Sequence, residues 1–108
     1  MRIRLGYDIE MALNAPTTLL GALHVHPSRA EDLQTPEAFR IEPPLPLKHY
    51  HDAFGNLFTR IDIPAGTGSI RLHNNTVIED SGQPDLVLPQ ARQHALHELP
   101  SDLFRFLL

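Results

Sequence analysis

From Ile3 onward, apolar and polar positions alternate without interruption: Ile3, Leu5, Tyr7, Ile9 and Met11 share one side, and Arg2, Arg4, Gly6, Asp8 and Glu10 share the other. A strand sends successive side chains to opposite faces, so this period of two predicts a strand with one buried and one wet face. Asn14 to Thr17, with Pro16 inside it, reads as a turn. The apolar run from Thr18 to Val25 is too short for a helix and is interrupted by Gly21, which predicts a second strand. Residues 27–37 carry Pro27, Ser28, Pro36 and the acidic pair Glu31 and Asp32, the composition of a surface loop, and a short strand is expected over Ala38 to Glu42. Pro43, Pro44 and Pro46 each lack the amide proton of a sheet ladder and restrict the next stretch to an edge or a crossover.

The best-defined local feature is Leu47 to Ile63, where two strand-like runs flank Asp52-Ala53-Phe54-Gly55-Asn56. The Asp52 carboxylate suits the start of a turn because it can accept from nearby backbone amides, and Gly55 can take the left-handed conformation that closes a bulged hairpin. Phe54 at the tip either folds back onto the sheet, the favoured expectation, or anchors a partner. After a turn at Gly66-Thr67-Gly68, the stretch from Ser69 to Glu79 alternates again, with Ile70, Leu72 and Ile78 in phase. Residues 84–100 show little regular pattern, and Ser101 is placed to cap a turn of helix bearing Leu103, Phe104, Phe106, Leu107 and Leu108. Short strands separated by turn signals predict an all-β fold, an immunoglobulin-like two-sheet β-sandwich with a short C-terminal helical segment.

Composition narrows the function classes. At 108 residues, 42% hydrophobic and 20% charged, the chain is expected to fold around a single core. Nine Lys and Arg against thirteen Asp and Glu give a net charge of −4, and the basic residues are scattered singly, so neither nucleic acid nor a membrane surface is an expected partner. The absence of cysteine excludes disulfides, thiolate metal sites and a cysteine nucleophile within this chain. No apolar run reaches the roughly 20 residues of a membrane span, and a cytoplasmic location is the expectation.

Histidine is the enriched functional type, with seven in all and two His-x-His pairs, His24/His26 and His49/His51. Residues two apart on a strand share a face, so each pair offers two imidazoles to Zn or Cu. A metal site needs further ligands, and no HExxH or comparable spacing supplies them, so half-exposed polar positions are the expected role and no cofactor is expected. His94 and His97 lie in the proline-containing stretch and carry less weight. Asp8 and Glu10 form a same-face carboxylate pair of the type glycosidases use, and a solvated strand face is the expected role here. Ser28, Ser69, Ser81 and Ser101 lack a G-x-S-x-G elbow. Gly66-Thr67-Gly68 leads into a strand and not into the helix of a phosphate cradle, and Asn74-Asn75-Thr76 matches the glycosylation pattern by chance.

The opening alternating strand, the Tyr50-His51-Asp52-Ala53-Phe54-Gly55-Asn56 hairpin and the tail from Leu99-Pro100-Ser101-Asp102-Leu103 through Phe106-Leu107 together resemble the N-terminal region of bacterial transglutaminase-like proteins, a family described as cysteine proteases. The resemblance implies a β-sandwich over residues 1–99, with residues 100–108 beginning a helical junction to a C-terminal catalytic domain whose Cys-His-Asp triad performs acyl transfer. Asp52, Gly55 and Asn56 would then fix a structural turn, while Leu103, Phe104 and Phe106 would seal the junction. The implied function is that of a non-catalytic accessory domain whose partner is its own catalytic domain, with self-association into a homo-oligomer left open. The alternative is a stand-alone module binding a metal or small ligand through the His-x-His pairs. A third option, a hydrolase working through Asp8 and Glu10, is expected to show no turnover.

Overall fold

The computed structural model describes residues 1–107 and consists of six strands with three short 3-10 helices. The strands are β1 (Arg2–Ala12), β2 (Thr17–Gly21), β3 (Arg40–Glu42), β4 (Leu47–His51), β5 (Leu57–Ile63) and β6 (Ser69–Glu79). They form two three-stranded antiparallel sheets, ordered β1-β6-β3 and β2-β5-β4, so the chain is mostly β. The part of the expected terminal helix that falls on Leu108 lies outside the described residues.

The longest pairing runs β1 against β6 in unbroken register from Arg2 opposite Glu79 to Ala12 opposite Ser69. Alternation explains what faces the core. On β6 the residues Ile70, Leu72, Asn74, Thr76 and Ile78 are all buried, while their neighbours are not. The apolar cluster is built from Ile61 and Ile63 of β5 and Ile70 and Leu72 of β6, the central strands of the two sheets. Tyr7, Met11, Leu19, Ile41 and Leu47 bring the other four strands against it.

Several boundaries differ from those the sequence predicts. The second strand ends at Gly21 instead of Val25, and the chain then folds back so tightly that a Cβ on Gly21 would lie 2.9 Å from Leu23 Cγ. The third strand is only Arg40–Glu42, with Phe39 turned against the core cluster. Within the expected loop, Pro27–Asp32 is a 3-10 helix, and Leu33 bridges to Ile78. Ser101 caps nothing: the final 3-10 helix, Ser101–Phe106, starts behind Pro100 with no side-chain cap. Among the described residues no helix is long and apolar enough to cross a membrane.

Candidate functional site

Toward one end of β6 the inward positions change from aliphatic to polar, and Asn74 and Thr76 meet the segment joining β2 to β3. There they line a cleft of about 260 Å³ together with Tyr7, Leu23, His24 and Glu37. Glu37 organises it. One carboxylate oxygen accepts from the Val25 amide at 2.9 Å and the Asn74 side chain at 3.0 Å, and the other lies 3.1 Å from His24 Nδ1. A carboxylate acceptor requires the His24 proton on Nδ1. His24 Nε2 is then buried without a hydrogen-bond partner among the described residues, its ring packed between Phe39 and His49 at centroid distances of 5.2 and 5.6 Å.

The Tyr7 hydroxyl donates to Leu23 O at 2.8 Å, and burial, aided by the nearby Glu37 charge, pushes its pKa up to about 12. A phenol held so firmly protonated locks the loop and does not act as an acid or base near neutrality. Thr76 Oγ1 donates to Thr35 O at 2.6 Å. Asn74 is buried and its amide donates to both Leu23 O and Glu37, which removes it as a glycosylation acceptor. Burial of a polar side chain requires such partners, and here they tie the loop to β6.

The histidine pairs are distributed differently from their sequence pattern. His24 and His26 follow the end of β2, off any strand, because the chain turns at Gly21. His26 Nδ1 accepts from the Ser28 amide at the start of the 3-10 helix, and its Nε2 lies 3.2 Å from Phe54 O. His49 and His51 both lie on β4, and His49 Nδ1 pairs with Thr59 Oγ1 at 3.0 Å. The structure thus brings together His24 and His49, one from each pair. Among the described residues no group of three or more His, Cys, Asp or Glu could hold a metal.

Asp52 opens the hairpin turn. Its Oδ1 accepts from the Phe54 and Asn56 amides at 2.8 and 2.9 Å, and its Oδ2 accepts from Asn56 Nδ2 at 2.9 Å. These donors hold the carboxyl below its usual pKa, the Asn56 side chain foremost. Gly55 has φ +78°, a conformation that a side chain would strain. Phe54 does not fold back onto the sheet, as its apolar character suggests. It is 65% exposed and meets the ring of Phe106 at 6.2 Å, edge-on.

Phe106 belongs to the second candidate surface, the C-terminal segment. Leu103, Phe104, Phe106 and Leu107 are 39–57% exposed, and Leu86, Val87 and Leu88 are more exposed still. The segment is braced locally by Arg92, whose guanidinium donates to both oxygens of Glu98 at 3.0 and 2.9 Å. Asp8, in turn, accepts from Arg71 through both oxygens, and Arg71 is the main reason that its pKa is lowered.

Sequence reasoning missed Tyr7, Glu37 and Thr35 as members of the buried polar network. The available signal was the pair of polar residues, Asn74 and Thr76, at the phase of β6 where aliphatic residues are expected. No family model, curated protein or solved structure matches this chain.

Proposed function

We propose that this chain is the non-catalytic accessory domain of a transglutaminase-like cysteine protease or acyltransferase, an immunoglobulin-like β-sandwich over residues 1–99 with residues 100–108 opening the junction to the catalytic domain. The reading places the protein in the cytoplasm, in keeping with its lack of cysteine. The observation that carries it is the row of exposed apolar side chains on the last 3-10 helix, Leu103, Phe104 and Phe106, continued by Phe54 at the hairpin tip. Fully burying an exposed aliphatic or aromatic side chain is worth about 1.5–3 kcal/mol, and covering these half-exposed ones contributes part of that. A catalytic domain packed here would bury these side chains and use the hairpin as a fixed wall.

In this reading the polar cleft is structural. Glu37, Asn74, Tyr7 and Thr76 direct their hydrogen bonds to one another and to the loop backbone, which holds the hairpin side of the domain in place through His24 and His26. The reaction itself would belong to the Cys-His-Asp triad of the following domain. The experiment is to read the native coding sequence beyond Leu108. A cysteine followed by a histidine and an aspartate in papain-like order is the expected result, and a stop codon would remove the association with such an enzyme.

A further inference from the structure

The outer edge of β1 carries a second, independent feature. Along β1 the backbone groups of alternate residues point in opposite directions within the sheet plane. Met1 N donates to Asp80 O at 2.6 Å, Asp80 N donates to Met1 O at 2.7 Å, and Leu13 N donates to Gly68 O at 2.8 Å. In the unbroken β1–β6 register these contacts assign the odd positions to bonds with β6. The amides and carbonyls of Arg2, Arg4, Gly6, Asp8 and Glu10 therefore face away from β6. Among the described residues β1 pairs with β6 alone, so this edge is open along its length.

The same five residues are exposed, and their charges run plus, plus, glycine, minus, minus. An antiparallel copy of β1 placed with its two-fold axis at Gly6 sets Arg2 opposite Glu10 of the other copy, Arg4 opposite Asp8, and Gly6 opposite Gly6. Every charged side chain among these five residues then meets its opposite, and the outward backbone groups of all five lie in hydrogen-bonded pairs. Shifting the register by one step of the ladder leaves Arg4 facing Gly6, or Arg2 facing Ala12. Charges on an edge strand ordinarily repel a second strand. These are ordered so that they repel a parallel, in-register copy and attract an antiparallel one.

We infer that β1 is the interface of a symmetric homodimer in which two copies join edge to edge, extending the sheet to the order β3-β6-β1-β1-β6-β3. The interface is isologous, since one strand serves as both surfaces. Arg71 approaches Asp8 from within the same chain, and Arg2 lies 3.6 Å from Glu79, so the intermolecular pairs add to existing ones. Gly6 at the axis is required by its own sheet as well, because a Cβ there would lie 2.7 Å from Asn74 O.

Sedimentation equilibrium of the 108-residue chain, combined with hydrogen exchange, tests this directly. A monomer–dimer equilibrium is expected in which the Arg4, Gly6 and Asp8 amides gain protection as concentration rises. Arg4→Glu and Asp8→Arg should each weaken self-association roughly tenfold or more, because each sets two like-charged pairs across the axis. An equimolar mixture of these two variants should dimerise again, since the carboxylate introduced at position 4 of one meets the guanidinium introduced at position 8 of the other. Should Asp8→Arg not fold for want of its Arg71 partner, Arg2→Glu with Glu10→Arg makes the same exchange. A chain that stays monomeric at all concentrations overturns the inference. So does a dimer in which those three amides remain unprotected, because its contact would lie elsewhere, as on the apolar C-terminal segment.

Discussion

Tyr7 links the strand pattern to the polar cleft, because its ring packs on the core while its hydroxyl reaches the carbonyl of Leu23. Burial raises its pKa to about 12, above the unfolded value of about 10. The folded state therefore gains stability that is fully present below the unfolded pKa and is lost as pH rises through the folded one. Absorbance titration should show a tyrosinate transition near pH 12 that is absent in Tyr7→Phe. That substitution should cost about 1 kcal/mol near neutral pH through the lost hydrogen bond. At this scale the sequence is readable only in part. Asp52 and Gly55 announce a turn because their chemistry is local. Glu37 pairs with His24 and Asn74 across separations that no local pattern encodes. His49 and His51 share β4 as their spacing suggests, whereas His24 and His26 do not share a strand because β2 stops at Gly21.

The two central strands, β5 and β6, hold the core together, since the most deeply buried apolar side chains lie on them. Ile61 is 0% exposed, and Ile61→Ala should destabilise the protein by about 2–5 kcal/mol in denaturant titration. Leu20→Ala, at a residue 56% exposed on an outer strand, should fall within about 0.5 kcal/mol of the parent. Equal losses at the two positions would contradict the placement of the core. Strand β1 was legible because apolar and polar residues alternate from Arg2 to Met11, and β6 because Ile70, Leu72 and Ile78 share one phase. The β2 and β3 boundaries were not, because three-to-five-residue strands are fixed by what they pair with, and Leu23 and Phe39 serve the core from outside any strand. Which sheet each strand joins depends on long-range pairing and is not written in periodicity.

On the scale of the whole molecule, the radius of gyration is 18.7 Å, against about 13 Å for a compact domain of similar length. The described residues beyond β6 carry a large share of the exposed apolar side chains without joining either sheet. Such a segment gains stability by being covered, and the accessory-domain reading assigns that cover to a catalytic domain. The measurement that bears most directly on it is hydrogen exchange over residues 96–107, compared between the full native gene product and the 108-residue chain. Strong protection of the Leu103 to Leu107 amides is expected in the native product and rapid exchange in the 108-residue chain. Equally rapid exchange in both would mean that nothing packs on this segment, and would contradict the proposed junction.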